Sequence, residues 1–489
     1  MGTFFDKKQK TDMRAIFLLV LFLGGYALSG AFGLSSLLLF LGLVLPAAVL
    51  AFLFPRAGFL ASVVLTVFFE RFYTLQPILV DSGTYKLYPL DVILAVSFFS
   101  VFLLWFAERK RSEAAHLSST GKMLVLFFVF TTVVFLASIA GFSDTNIATA
   151  FSTWKNYVFY GMLFFFVPLV LRSREDVSLL SKVFFSGIAI TTVFLVIGIA
   201  RGGGLWTEYT PLSTPGTRFL AFPHAFYFSL ALLVLVFSAG TWIDDVRLRR
   251  RNFVFMSVLV AGILGSLMRH LWLGIGAVLA FGFVFSFRNY RKRLVRIASF
   301  FIGSGVLLAL AAFSLTELFP MSDMARNTRY VSEVVSSRLS SIGNSYDESF
   351  AWREQVWESA LARFWEHPVT GIGFGVRVPV ELGEYRSYVE VRDMHNSWLA
   401  LLVQTGAAGV VLMLGAVGTI LVRLTRRCGD AFLDTARSAL FGLIVFQCLV
   451  LFSQPYLETN LLGMFFWITL GVSEAVIRIG GKPKKTGTV

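Results

Sequence analysis

Charged residues are scarce in this sequence, and their scarcity excludes most soluble folds. They make up 15% of the 489 residues, whereas 56% are hydrophobic and 53 are Phe. Soluble domains carry about 25% charged residues, so the roughly three soluble domains that this length allows are ruled out. Only two cysteines are present, Cys428 in a basic loop and Cys448 in an apolar run, which argues against a disulfide framework.

Several catalytic signatures are also missing. The sequence contains no HExxH, CxxC, P-loop or GxSxG segment, so zinc-protease, dithiol, phosphate-loop and serine-hydrolase chemistry lack their usual motifs. No pair of acidic residues expected outside the membrane resembles a site for a metal-bound sugar nucleotide, because Asp244 and Asp245 fall in a predicted cytoplasmic loop. We therefore expect no metal and no cofactor.

Long apolar runs take the place of the missing charges, and each is long enough to cross a bilayer. The stretch 252–287 is longer than one crossing needs and has arginines at both ends, so it predicts a hairpin of two short crossings with its apex near Arg269. Together the runs predict an all-α, polytopic transmembrane helix bundle of about 12–14 spans. The other predicted spans are 15–31, 33–54, 57–79, 90–107, 122–141, 155–171, 178–199, 219–240, 297–315, 397–422, 438–453 and 460–477.

The formal charge is +14, and the positions of the basic residues indicate how the chain is oriented in the membrane. Basic residues before the first run predict a cytoplasmic start, and alternation then places most Lys and Arg in the cytoplasm, so no nucleic-acid partner is expected. No small-residue cleavage motif follows the first run, so we expect no cleaved signal peptide. This topology divides the chain into N-terminal transmembrane helices at 1–315, an external loop domain at 316–393, and C-terminal transmembrane helices with a cytoplasmic tail at 394–489.

The external loop contains a predicted amphipathic helix at 351–366. Its aromatic face suits either of two positions, flat on the membrane surface or packed on the mouth of the helix bundle, and the sequence leaves both open. The apolar positions at helical spacing are Trp352, Val356, Ala360 and Phe364, with Trp357, Leu361 and Trp365 beside them.

His395 is the first candidate catalytic residue. It lies where the external loop meets an apolar run, and it is followed by Asn396, nine residues, Gly406, two residues and Gly409. An imidazole, with an unperturbed pKa of about 6.5, can take a proton from a hydroxyl group or orient it. The alternative is structural: a histidine at the start of a helix capped by Asn396, with two glycines that permit close helix packing.

Arg218 and Arg269 share the external side with His395 in this topology. A guanidinium group makes two parallel hydrogen bonds to phosphate and keeps its charge. Two such groups beside one imidazole indicate a site that binds a phosphate leaving group and activates an acceptor. For each arginine alone, the alternative is an interfacial anchor that reaches the lipid headgroups. The acidic alternatives nearby are Asp81 and Asp91, and we expect Asp91 to be a helix-start residue.

These segments resemble the bacterial O-antigen ligase and O-antigen polymerase family of membrane glycosyltransferases over roughly residues 210–425. The run from His395 to Gly409 is similar to the family signature His-Asn-x9-Gly-x2-Gly, and Arg353 with HPVTGIGFG at 367–375 resembles its Arg-plus-HPxxGxGxG segment. Two further segments, GTRFLAFPHAFYFSLAL and GSLMRHLWLG, resemble the elements that carry two family arginines, here Arg218 and Arg269. The second departs from the family pattern because Leu-Met separates the serine from the arginine, and His224 stands where the family often has Asn.

The resemblance implies a GT-C-like helical fold with one long external loop carrying amphipathic helices, and a metal-independent, inverting transfer. The donor would be a glycan on undecaprenyl diphosphate, and the site would face the periplasm from the bacterial inner membrane. Arg218 and Arg269 would bind the diphosphate, and His395 would activate the acceptor hydroxyl group. The supporting residues would be Arg353, Asn396 and His224.

The acceptor is left open by this resemblance. A ligase moves the glycan to lipid A-core in lipopolysaccharide biosynthesis, whereas a polymerase moves it to another lipid-linked repeat; we favour the ligase type. An alternative from another class is a flippase or transporter of the same lipid-linked glycan, which needs polar residues along a path through the membrane. A purely structural scaffold is a third interpretation, and it leaves the charged external residues unexplained.

Overall fold

The structure, a computed structural model, describes most of the chain. The described residues are 2–31, 34, 36–69, 78–80, 85–109, 117–141, 145–200, 220, 222–285, 288–318, 333, 348–382 and 385–481.

Helices make up most of the described chain. Seven are long and apolar enough to cross a membrane, and four more are apolar but shorter. The predicted all-α polytopic helix bundle is therefore confirmed, while the number of crossings stays a prediction. The helices are α1 (Gly2–Ala31), α2 (Leu37–Leu53), α3 (Pro55–Phe69), α4 (Pro89–Arg109), α5 (Ser119–Gly141), α6 (Ile147–Trp154), α7 (Leu163–Val170), α8 (Arg174–Ala200), α9 (Phe222–Phe237), α10 (Val246–Gly265), α11 (Arg269–Phe285), α12 (Arg288–Leu318), α13 (Glu348–Phe364), α14 (Ser397–Leu424), α15 (Ala431–Val450) and α16 (Asn460–Gly480).

Large apolar side chains cover the outside of these helices. Leu38 is 80% exposed, Leu307 69% and Val411 67%. A helix that is apolar on its outer face as well as its inner face needs an apolar surrounding, so these helices match lipid rather than water.

Two predicted spans are interrupted. The apolar stretch 252–287 is not one continuous helix, because residues 266–268 separate α10 from α11. This is the hairpin that the basic residues at both ends of the stretch predict. Leu267 has a φ of 56° there, and the indole nitrogen of Trp272 donates to the Ile263 carbonyl at 3.0 Å across the break. The predicted span 155–171 is not one regular helix, because a π-helical turn (Lys155–Phe159) and a 3-10 turn (Tyr160–Met162) separate α6 from α7.

Two β-hairpins were not predicted. One pairs β1 (Ile78–Val80) with β2 (Tyr85–Leu87), so the predicted span 57–79 is wrong at its end, because Ile78 and Leu79 belong to a strand. The other pairs β3 (Arg377–Leu382) with β4 (Tyr385–Glu390) inside the long loop.

The contacts group the chain into two units. Unit one comprises 1–191, 355–444 and 451–489, and unit two comprises 192–354 and 445–450. In unit two, the aromatic rings of Phe253 and Phe300 stack at 4.2 Å and those of Phe237 and Tyr290 at 5.6 Å. The division of the chain at 315 and 393 that topology predicts stays a prediction.

Unit one has two chemically different ends. Helix α14 has 28 residues and is about 42 Å long, so its two ends are far apart. At the C-terminal end of α14, Nη1 of Arg423 lies 2.6 Å from Oε2 of the buried Glu474. At its start, the Ser397 amide donates to the Leu451 carbonyl at 2.9 Å. The loops that alternation assigns to opposite sides of the membrane thus lie at opposite ends of this helix.

Candidate active site

The start of α14 is built by Asn396. Its side-chain oxygen accepts from the Leu399 amide at 3.0 Å, which satisfies one of the amides that a helix start leaves unpaired. His395 precedes this cap with a φ of 55°, a backbone conformation uncommon for residues other than glycine. The structural role expected of Asn396 as a helix cap is therefore present.

The imidazole of His395 contacts Gln454, in the loop between α15 and α16. Its Nδ1 lies 3.1 Å from the Gln454 Oε1 atom. An amide oxygen only accepts hydrogen bonds, so in neutral His395 the proton resides on Nδ1 and the lone pair on Nε2. Orientation of one ring nitrogen by a fixed partner prepares the other nitrogen to act as a base.

A buried carboxyl group lies behind this pair. Glu458 is 6% exposed; its Oε1 accepts from the Tyr157 hydroxyl at 2.5 Å, and its Oε2 lies 2.5 Å from the Ser397 hydroxyl oxygen. Burial raises the pKa of Glu458 to about 7, against the opposing effect of the hydrogen bonds from Ser397 and Tyr157, and the charge of Asp393 raises it further. Such a group changes its protonation state near neutral pH.

The π-helical turn delivers Tyr157 to this cluster. Within the same turn, the Asn156 side chain donates to the Glu458 carbonyl, and the Asn156 carbonyl accepts from the indole nitrogen of Trp467 at 3.0 Å. A π-helical turn shifts the register of side chains on a helix and is frequent at functional sites. Here it places consecutive residues so that both contact Glu458.

The glycine-rich segment 367–375 packs into a break in α14. Gly406 has φ 65° and ψ −172°, which interrupts the helix. The amides of Ala407 and Ala408 donate instead to the carbonyls of Pro368 (2.9 Å) and Val369 (3.2 Å). The two glycine motifs of the sequence therefore form one interlocked backbone structure.

Backbone amides of the same segment also donate hydrogen bonds to α14 and α5. The amides of Ile372 and Gly373 donate to the carbonyls of Val403 (2.9 Å) and Gln404 (3.1 Å). The Phe374 amide donates to the Ser138 hydroxyl at 2.9 Å. These hydrogen bonds hold residues 372–374 against α14 and α5. From there the chain continues through β3 and β4 to His395.

Helix α13 confirms the predicted amphipathic helix of the long loop. Val356, Ala360 and Phe364 are buried, and the Trp357 indole nitrogen donates to the Met394 carbonyl at 2.8 Å. The helix thus packs against the residue that precedes His395, as the bundle-packing alternative requires. Trp365 is 71% exposed at its end.

The remaining site predictions fall elsewhere. Arg218 lies outside the described residues. Arg269 is the first residue of α11 and is half-buried, His224 is buried in α9, and Arg353 is half-buried in α13. These three belong to unit two, whereas His395 and Asn396 belong to unit one, and the roles of all these residues stay predictions.

Asp91, the acidic alternative to His395, is engaged in an ion pair. It lies in the first turn of α4, as expected, and its carboxylate contacts the Lys155 amine at 2.7 Å and the Tyr160 hydroxyl at 2.6 Å. Both oxygens of the Asp91 carboxylate are therefore engaged within the protein. Across the residues that the structure describes, no three His, Cys, Asp or Glu side chains cluster as a metal site requires.

Residues 254–414 match the family model described as O-antigen ligase. The match covers about a third of the chain, and over that segment the chain is similar to the O-antigen ligase family. The resemblance inferred from the motifs is thereby confirmed over this segment, and the apolar helices make the protein a multi-pass membrane protein. No curated protein matches the chain.

The O-antigen ligase match includes Arg269, Arg353 and His395 but ends before the cluster around Glu458. Sequence reasoning missed Gln454, Glu458 and Tyr157. One signal was available for Glu458: an acidic residue directly before the last apolar run is costly near a membrane and is often functional. Tyr157 gave no signal, because it is one aromatic residue among many in an apolar run.

Proposed function

We propose that this O-antigen ligase-type protein transfers a glycan from undecaprenyl diphosphate to an acceptor hydroxyl group at the outer face of the inner membrane, with lipid A-core as the acceptor. The observation that carries the proposal is the pairing of His395 Nδ1 with an oxygen that only accepts. With the proton on Nδ1, Nε2 is the ring nitrogen that carries the lone pair a general base uses.

The reaction follows from these groups. His395 Nε2 takes the proton of the acceptor hydroxyl group while the hydroxyl oxygen attacks the anomeric carbon of the donor. The bond between that carbon and the diphosphate oxygen breaks, and undecaprenyl diphosphate leaves with the electron pair. Attack on the face opposite the leaving group inverts the anomeric configuration.

The proposed role of Arg218 and Arg269 is to neutralise the charge that develops on the leaving diphosphate. Charge-assisted hydrogen bonds of this kind stabilise a transition state by a few kcal/mol each. Because diphosphate is already a good leaving group and arginine supplies its counter-charge, the proposed reaction needs no metal. Arg353, Asn396 and His224 would support the site, and Asn396 would do so through its cap of α14.

The test uses purified protein with lipid diphosphate-linked oligosaccharide, with and without lipid A-core. A single addition to lipid A-core supports the ligase proposal. A ladder of lipid-linked repeats in the absence of lipid A-core identifies a polymerase instead. Movement of the donor between leaflets without any transfer would refute the enzymatic proposal and identify a flippase. His395→Ala serves as the inactive control.

A further inference from the structure

Glu458 has no part in the transfer step proposed above, yet it lies at the centre of the contacts behind His395. Its side chain is buried, and its two oxygens contact residues from two different elements, the π-helical turn and the start of α14. A carboxyl group placed in this way costs free energy unless it is neutral or fully hydrogen-bonded. Which of these two conditions holds for Glu458 depends on the protons that the neighbouring groups can donate.

The hydroxyl group of Ser397 has three neighbours but only one proton. The Leu457 amide donates to it at 3.1 Å, the Gln454 carbonyl lies 3.1 Å away, and Glu458 Oε2 lies 2.5 Å away. A hydroxyl group offers one hydrogen and two lone pairs, and a carbonyl oxygen only accepts. All three contacts are hydrogen bonds only when Ser397 donates to Gln454 and Glu458 donates its own proton to Ser397.

Ionisation of Glu458 changes this arrangement. The carboxylate only accepts, so the Ser397 proton turns towards Glu458 and leaves the Gln454 carbonyl. Gln454 is the residue whose side chain holds His395 Nδ1. The hydrogen bond that anchors the backbone of Gln454 to α14 is then lost.

We infer that Glu458 is a positioning residue, which in its protonated form holds Ser397 and Gln454 so that the imidazole of His395 is aligned for proton transfer. The inference rests on the role of His395 in the proposed function. In this arrangement Glu458 acts on His395 through Ser397 and Gln454.

The surroundings of Glu458 support a titration near neutral pH. Burial raises its pKa to about 7. An acid whose pKa is raised by the fold is neutral below that value and ionises as the pH increases through it, so the aligned arrangement is lost on the alkaline side. The ionisable groups on the elements around Glu458 are Lys155 and Tyr157 of the π-helical turn, Asp393, His395, and Tyr456 of its own loop.

The experiment compares pH profiles of single-turnover transfer for the wild type and Glu458→Gln. Glutamine reproduces the neutral acid, because its amide nitrogen donates to Ser397 and its oxygen accepts from Tyr157. Between about pH 7 and about pH 9 we expect the wild-type rate to fall about two- to tenfold, the effect of one lost hydrogen bond. The Glu458→Gln rate does not fall over this range. Glu366→Gln, at an exposed glutamate of the long loop, is the matched control and retains the wild-type profile.

A second variant covers the case in which Glu458→Gln does not fold. Tyr157→Phe removes a hydrogen bond that lowers the pKa of Glu458, so the alkaline fall should move to higher pH. A profile of Glu458→Gln or Tyr157→Phe that coincides with the wild type overturns the inference. If His395→Ala transfers at the wild-type rate, the proposed function fails; if His395→Ala is inactive while Glu458→Gln keeps the alkaline fall, only the positioning role fails.

Discussion

Gly406 offers a direct test of the interlocked glycine segments. A Cβ atom at this position would lie 2.2 Å from the Val369 carbonyl oxygen and 2.6 Å from the Gly371 amide nitrogen. Both neighbours are backbone atoms, so rotation of a side chain cannot relieve the overlap. Gly406→Ala must therefore displace segment 367–375 or straighten α14.

The magnitude follows from what is lost. The φ and ψ of Gly406 are nearly restricted to glycine, and forcing them on alanine costs about 1–3 kcal/mol. Displacement also breaks the hydrogen bonds from Ala407 and Ala408, each contributing about 1 kcal/mol. We expect a total loss of about 3–5 kcal/mol, and unfolding about 10²–10⁴-fold faster if these contacts are absent from the unfolding transition state.

The assay is the unfolding rate of purified protein in detergent at a fixed temperature. Gly418→Ala is the matched control, because it lies in the same helix and a Cβ there meets nothing within 4 Å. Alanine is the better helix former, so Gly418→Ala should be neutral or slightly stabilising. Equal unfolding rates for the two variants would show that the segment does not depend on the break in α14.

Four further predictions concern the reaction. His395→Ala should lower single-turnover transfer about 10²–10⁴-fold and leave donor affinity near wild type; equal loss of donor binding would contradict an acceptor-side role. Arg218→Ala and Arg269→Ala should each lower the transfer rate about 10²-fold and weaken donor binding. Lysine at either position should restore only part of the transfer rate, because an ammonium group cannot make two parallel hydrogen bonds. Full restoration by lysine would argue against bidentate binding of diphosphate. Gln454→Ala should lower the transfer rate about two- to tenfold, measured with saturating donor, and an unchanged rate would remove Gln454 from the site. Transfer should persist in EDTA, and loss that Mg²⁺ or Mn²⁺ restores would refute the metal-free mechanism.

The parts of the fold that the sequence predicted depend on local composition. The apolar runs located most of the helices, and the arginines flanking 252–287 located the break before Arg269. The cap at Asn396 and the buried face of α13 followed from residue type and helical spacing. Each of these features is set by residues close together in the chain.

The parts that were missed depend on distant residues. Tyr157 and Glu458 are 301 positions apart, and His395 and Gln454 are 59 apart. No local pattern indicates which polar side chain in one apolar run meets which loop of another. The composition of residues 155–159 does not distinguish the π-helical turn that presents Tyr157 from an ordinary helix. The contacts of that turn are with Glu458 and Trp467, which are far away in the chain.

The interlocked segment also limits how the long loop can be exchanged between relatives. The break at Gly406 lies about 14 Å along α14 from its start, and its amides and carbonyls are paired with residues 368–373 rather than within the helix. A chimera that replaced the whole loop would leave these groups without partners, each at a cost of about 1–3 kcal/mol. A chimera that kept 367–375 and exchanged only the residues before α13 would keep α14 intact. Residues 367–375 are thus structurally part of α14, although they belong to the long loop in sequence.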